Sequence, residues 1–334
     1  MDVDKINLVN IFLVFTSLTL AYFIPFELFL YSYIILGPLH YLTEINWLYQ
    51  KKFFLRNNNK WPLLLIIISV LIPIYIRYWG TTINRYQFTQ SILQLMGTLS
   101  DHFILVGFLF IIGVVFFNRK KYLIIEFLIA FIITTYLLFN APEWISLMGL
   151  FLPTLIHVYL FTLFFVLYGA LKEKNNYGIY LAILLFLVPF IILYIPIDSN
   201  NYTPLDSTKD IFITNNLSSL AKITASIFNQ PKNGSFYMLS EISIRIQIFI
   251  AFAYSYHYLN WFSKTSIIGW KKALSKKKSL WILLIWVLSI SLYFYDFRTG
   301  LYTLFLLGYT HLIVEFPLNA LSIKGVFTFI KSRK

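Results

Sequence analysis

The sequence predicts an all-α protein, a polytopic bundle of about ten transmembrane helices with both termini in the cytoplasm. Of 334 residues, 59% are hydrophobic and 12% are charged, and the mean hydropathy is +0.72. Soluble domains carry roughly twice that share of charged residues. The apolar residues form runs of about 20, the length that crosses the hydrocarbon core of a bilayer. We therefore expect one integral membrane domain over residues 1–334.

The apolar runs and the breaks between them give the expected helix positions. Pro25 separates the first two runs, because proline ends a helix and turns the chain. The first run begins without a basic segment and lacks a signal-peptidase site, so we expect it to remain as a helix. The predicted helices are 8–24, 26–49, 61–79, 91–117, 122–139, 147–171, 177–197, 240–262, 279–295 and 299–320.

The basic residues fix the predicted orientation. Twenty of the 27 Lys and Arg residues lie at the N-terminus, in the tail, or after an even-numbered predicted helix. Cytoplasmic loops carry such an excess, so the termini are expected in the cytoplasm. The same distribution explains the net charge of +13, so we expect no nucleic-acid partner. The long polar segment 198–239 then lies outside the cytoplasm, and residues 216–228 within it are amphipathic enough for a short interfacial helix.

Two copies of one pattern, L-G-x-x-H-x-x-x-E, occur near opposite ends of the chain. Residues 36–44 read LGPLHYLTE and residues 307–315 read LGYTHLIVE. The spacing places His40 above Glu44, and His311 above Glu315, on one face of each helix. Ionisable residues inside a membrane are costly, so they indicate a functional site.

The chain has five histidines, and all fall on even-numbered predicted helices. Counting about 1.5 Å per residue from the predicted cytoplasmic ends places His40 and His311 in one layer, which His257 joins after a small shift. His102 and His157 are expected in a second layer, roughly 8 Å deeper. Helices carrying His40, His257 and His311 are therefore expected to be neighbours.

The histidines inside the predicted bundle can be interpreted in two ways. Neutral imidazole is the commonest metal ligand in proteins and suits iron, copper and zinc, and a nearby carboxylate orients the ring or binds the ion itself. The candidate metal ligands are His40, His257, His311 and His157, with Glu44 and Glu315 as catalytic carboxylates. The alternative is that each histidine only hydrogen-bonds a tyrosine or a backbone carbonyl between helices. With no cysteine in the chain, thiolate and iron–sulfur sites are excluded.

The segment 254–264 is a third candidate. It reads YSYHYLNWFSK, so three tyrosines flank His257 and Asn260 follows about one turn later. This segment would form a substrate wall or support the histidine, and Tyr256 is its candidate catalytic tyrosine. The alternative is an aromatic end of a helix at the membrane interface.

The first motif resembles a known family. Residues 37–44, GPLHYLTE, are similar to the G-x-P-H-G-x-x-D segment of the bacterial membrane-embedded β-carotene 15,15′-dioxygenases, and Tyr256-His257-Tyr258 resembles that family's aromatic-His-aromatic segment. The resemblance implies a multi-pass protein with non-haem Fe(II) held by histidines, among them His40 with Glu44 as its neighbour. It implies oxidative cleavage of a carotenoid.

These observations predict an iron-dependent oxygenase of the bacterial cell membrane. Its partners would be membrane lipid and an apolar isoprenoid, carotenoid or lipid substrate. A proton-coupled transporter or channel is the main alternative, because buried His and Glu residues also suit a proton relay. A haem-binding electron carrier is a third reading.

Overall fold

A computed structural model of the protein describes residues 3–51, 102–103, 105–110, 113, 117, 119–141, 155–215, 217–218 and 237–332. These residues form helices joined by turns, and there is no strand among them. The α-helices in this part of the chain are α1 (Val3–Phe23), α2 (Pro25–Tyr31), α3 (Gly37–Lys51), α4 (Lys120–Asn140), α5 (Thr162–Glu173), α6 (Asn176–Tyr194), α7 (Asp206–Thr214), α8 (Glu241–Ser263), α9 (Thr265–Ile268), α10 (Lys276–Tyr295) and α11 (Phe297–Ser332).

The all-helical membrane fold is confirmed. Six helical stretches within the described ranges are long and apolar enough to cross a bilayer: Val3–Phe23, Lys120–Asn140, Ile156–Glu173, Asn176–Tyr194, Lys276–Tyr295 and Phe297–Ser332. Their outward faces carry exposed apolar side chains, as on α4 at Ile132 and Phe139 and on α10 at Leu288. In a membrane protein such faces contact lipid. The count of ten helices and the cytoplasmic termini stay predictions.

Several predicted boundaries are corrected. Pro25 does break the chain, and as the first residue of α2 it loses no helical hydrogen bond. The last helix runs to Ser332 instead of 320, because Lys324 does not end it. The predicted helix 61–79 and the interfacial helix 216–228 lie outside the described residues, apart from a turn at 217–218. In the segment 198–239 the structure instead has α7, whose Phe212 packs against Phe26.

Helix α8 is the centre of the described bundle. Thirteen of its 23 residues are buried, and it contacts α1, α2, α3 and α6. One side of α8, with Ile244, Ile248 and Phe252, packs into an apolar cluster with α1 and α6. Its other side faces α3 and the helical segment that precedes α5. That second side carries His257.

Two π-helical turns interrupt the α-helices. Ser32–Leu36 joins α2 to α3 directly before the first motif, and Ile156–Phe161 precedes α5 and contains His157. A π-helical turn inserts one extra residue and rotates the side chains that follow, and it often occurs at functional sites. Both turns here therefore help set the direction of a histidine.

Candidate metal centre

The two motifs meet across the bundle. Helix α11 packs against α3, and Nε2 of His311 lies 3.0 Å from Oε2 of Glu44. The same Glu44 oxygen lies 3.2 Å from Nε2 of His40, one turn earlier on its own helix. Glu44 therefore contacts a histidine from each motif. Helix α3, which carries His40, contacts both α8, which carries His257, and α11, which carries His311.

Two further histidines complete the cluster. Nε2 of His257 lies 3.0 Å from Nε2 of His40, and Nδ1 of His157 lies 2.9 Å from Oε2 of Glu315. The ring centre of His157 is 4.9 Å from that of His257 and 4.8 Å from that of His311. Four imidazoles and two carboxylates from α3, α8, α11 and the π-helical turn before α5 thus converge.

The predicted separation into two layers is wrong for His157. The depth was counted from the cytoplasmic ends of the helices on the assumption that these ends are level. In the structure His157 is followed by 16 helical residues up to Glu173, a value between the 21 that follow His311 in α11 and the six that follow His257 in α8. Because the helix ends are not level, residues at different distances from them share one depth.

The cluster is almost fully enclosed by protein. Glu44 is 1% exposed, His40 is 0% and Glu315, the most exposed member, is 8%. Among the described residues, the ion-pair partners of Glu44 and Glu315 are histidines, without Lys or Arg. Two carboxylates without a permanent cation are costly to bury in a membrane. A divalent cation bound between them would leave the site neutral.

Several rings are held by hydrogen bonds that select their tautomer. Thr162 Oγ1 donates to the Val158 carbonyl at 3.0 Å, so its oxygen accepts from Nδ1 of His257 at 2.7 Å. His257 therefore keeps the lone pair of Nε2 free for a ligand. His311 also hydrogen-bonds the Gly308 backbone. A metal-binding histidine is usually oriented in this way through its second nitrogen.

Histidine nitrogens without a hydrogen bond lie in the same cluster. Nδ1 of His40 and both ring nitrogens of His157 are buried and make none with the residues that the structure describes. With Glu315 beside Nδ1, Nε2 is the His157 nitrogen left to bind a metal ion. Buried polar atoms normally have partners, so such nitrogens are candidates to bind an ion.

Several donor atoms have the spacing of ligands around a metal ion. Ligands at 2.0–2.1 Å from an ion lie about 3 Å from their neighbours around it. The contacts from His40 to His257 and Glu44, and from Glu44 to His311, are 3.0 to 3.2 Å. Two groups have ligand atoms within 4.8 Å of one another: His40 with His157 and His311, and Glu44 with His311 and Glu315.

Tyrosines lie against the cluster, but Tyr256 is not one of them. Its ring stacks on Phe252 within the apolar cluster of α1, α6 and α8, and its hydroxyl makes no hydrogen bond. Tyr258, two residues later, has its ring 5.1 Å from that of His40. The hydroxyls of Tyr258 and Tyr41 lie 2.9 Å apart, and the Tyr41 ring is 4.9 Å from His311.

The glycine of each motif makes room for this tyrosine pair. A Cβ atom on Gly37 would lie 3.2 Å from the Tyr258 hydroxyl and 3.3 Å from that of Tyr41. A Cβ on Gly308 would lie 3.3 Å from the Tyr41 ring. The L-G-x-x-H-x-x-x-E pattern thus combines two residues of the buried cluster with one small residue that accommodates an aromatic neighbour.

A cavity adjoins the cluster on the side of these tyrosines. His157 and His311 line it, together with apolar and aromatic residues: Tyr33, Tyr41, Val158, Tyr254, Tyr258, Phe305, Gly308, Tyr309 and Leu312. Ligand sites are typically apolar cavities with a few polar groups directed into them. An apolar molecule in this cavity would lie directly against two of the histidines.

His102 takes no part in the cluster contacts that the structure describes. Its Nε2 lies 3.0 Å from the hydroxyls of Thr134 and Thr135 on α4. It hydrogen-bonds a neighbouring helix, as in the alternative interpretation of the histidines, but its partners are threonine hydroxyls instead of the expected tyrosine or backbone carbonyl. The sequence pointed to Tyr258 only as part of the segment 254–264, with Tyr256 as the candidate. Thr162 and Tyr41 were missed, and of these two only Tyr41 had a signal, as the residue after the motif histidine.

Comparisons with protein-family models, with curated proteins and with solved structures find no match for this chain.

Proposed function

We propose that the cluster binds one iron ion and that the protein is a membrane-embedded oxygenase acting on an apolar substrate. The observation that carries the proposal is the convergence of four buried histidines and two buried carboxylates beside an aromatic cavity. Mixed imidazole and carboxylate donors are typical of non-haem iron oxygenases.

The residues divide into ligands and supports. His40, His257 and His311 would bind through Nε2, His157 through its free Nε2, and Glu44 through Oε2. Glu315 would orient His157 and supply the second negative charge. Five donors fill an octahedral shell except for one position, which oxygenases need for dioxygen or substrate.

The cavity favours an apolar substrate. Tyr41 and Tyr258 would form a wall beside the histidines, while Phe305 and Leu312 exclude water. Bound iron would supply the activation of dioxygen. The resemblance of residues 37–44 to the β-carotene 15,15′-dioxygenases supports an isoprenoid, carotenoid or lipid substrate. The same resemblance supports placement in a bacterial cell membrane, with lipid around the bundle.

A proton-coupled transporter is the second candidate, and one observation favours it. His257, His40, Glu44 and His311 form a continuous series of contacts of 3.0 to 3.2 Å. Such a series would pass protons without any metal ion.

Metal analysis of the detergent-purified protein separates the two functions. The oxygenase predicts about one iron per chain, lost in His40→Ala and His311→Ala, because each variant removes one donor. His102→Ala is the matched control and should keep its iron. A folded protein without metal, whose proton-coupled uptake is abolished by the same two variants, would establish the transporter instead.

A further inference from the structure

A stack of aromatic rings connects the metal centre with the surface at the end of α8. The ring of Trp261 lies 5.5 Å from that of His40, edge to face. The ring of Trp270 stacks on Trp261 at 6.1 Å between centres, with only 10° between the planes. Trp261 is buried and Trp270 is half-buried. Two short steps therefore lead from a surface residue to a proposed metal ligand.

The turn that carries Trp270 is held in place. Nε1 of Trp270 donates to the Trp261 carbonyl at 3.4 Å, and Asn46 and Gln50 of α3 both donate to the Ala273 carbonyl. Gly269 has a positive φ of 72°, which lets the chain turn back after α9. The stacking of Trp270 is thus part of a fixed structure, not a chance contact of a loose loop.

The surface around Trp270 is strongly basic. Five lysines lie within the next eight residues, and all are exposed: Lys271, Lys272, Lys276, Lys277 and Lys278. The chain has no acidic residue between 265 and 295. A cationic surface steers an anionic partner and speeds its association.

We propose that residues 269–278 are the docking site of a small acidic one-electron carrier protein, and that Trp270 and Trp261 conduct its electron to the iron beside His40. The inference rests on the proposed function. The reduced carrier loses one electron and ferric iron gains it to become ferrous, with no bond made or broken. Electron-transfer partners bind through small, transient interfaces.

The docking role of the lysines is tested by the rate at which the iron is reduced. This rate is measured as the loss of the ferric signal in electron paramagnetic resonance. The iron-loaded protein in detergent is mixed with reduced plant-type [2Fe–2S] ferredoxin, which is acidic. Replacing the five lysines by glutamine should slow the reduction about tenfold or more at low salt. Reduced methyl viologen, a small cation, should reduce both proteins at the same rate.

The conducting role of Trp270 is tested separately from docking. Trp270→Leu should slow reduction by ferredoxin while ferredoxin binding, measured by titration, stays unchanged. Trp281→Leu is the matched control, because Trp281 is 57% exposed on α10 and belongs to no ring stack that reaches the cluster. It should be reduced as fast as the unaltered protein.

Three results would overturn the inference. The first is reduction of the glutamine variant by ferredoxin at the unaltered rate, and the second is reduction of Trp270→Leu as fast as Trp281→Leu. The third is an effect of the lysines on binding to vesicles of anionic lipid alone, which would make them lipid anchors. In each case iron would still be bound, so the proposed function would stand; a protein without iron would refute that function first.

Discussion

Glu44 and His311 are 267 positions apart in the chain, yet their side chains are 3.0 Å apart in the interior of the bundle. Each belongs to one copy of the L-G-x-x-H-x-x-x-E pattern. The carboxylate of the first motif therefore contacts the histidine of the second. Because Glu44 also contacts His40, it joins the histidines of the two motifs.

Glu44→Gln should lower the iron content sharply. The amide keeps the size of the side chain but removes its negative charge and one strong oxygen donor. Loss of a metal-site carboxylate typically weakens binding by about tenfold or more. Metal content after dialysis against a chelator gives the measurement. Glu173→Gln, at the exposed end of α5, is the control, and equal iron in both variants would contradict a ligand role for Glu44.

Thr162→Val should weaken iron binding although Thr162 is not itself a ligand. The variant keeps the shape of the side chain and removes the hydroxyl that fixes the tautomer of His257. We expect a loss of about 10-fold to 100-fold in metal affinity, the usual effect of removing such a support. Competition with a chromophoric chelator would measure it.

Two comparisons make this result specific. Thr162→Ser keeps the hydroxyl and should bind iron as the unaltered protein does. Thr134→Val removes the hydroxyl beside His102, outside the cluster, and should also leave the affinity unchanged. Weakened binding in Thr134→Val would show that threonine loss acts through general destabilisation.

The membrane fold could be predicted from the sequence because bilayer thickness and apolar run length are directly linked. The sequence also placed His40 and His311 at one estimated depth, which depends on residue type and spacing alone. That the two motifs meet depends in addition on the packing of α3 against α11, which the sequence left as a condition.

The position of His157 was not predictable in this way. It depends on helix ends at different heights and on the π-helical turn Ile156–Phe161, which no pattern in the sequence marks. For a related reason, the sequence could not show whether Tyr256 or Tyr258 lies beside the cluster. Neighbouring tyrosines on α8 point in different directions, and only the packing of α8 decides which one faces His40.

Gly308→Ala should destabilise the protein relative to an ordinary glycine replacement in a helix. The added Cβ would lie 3.3 Å from the Tyr41 ring, which is itself packed against His311. Gly169, in α5, is the matched control because nothing lies within 4 Å of its added Cβ. Gly169→Ala should stabilise by about 0.5–1 kcal/mol through helix propensity alone.

Thermal unfolding in detergent measures this difference. The midpoint should rise for Gly169→Ala and fall for Gly308→Ala. If Gly308→Ala is stabilised as much as the control, the ring of Tyr41 moves away without cost. The motif glycine would then have no packing role.

The last prediction contrasts two tyrosines on α8. Tyr258→Phe removes the partner of the Tyr41 hydroxyl and leaves that group buried without a hydrogen bond, which costs about 1–3 kcal/mol. Tyr256→Phe removes a hydroxyl that makes no hydrogen bond in a buried apolar cluster, so it should be neutral or stabilising. Unfolding midpoints of the two variants give a direct comparison. If Tyr256→Phe is as stable as expected but abolishes turnover, Tyr256 acts in catalysis from outside the described site.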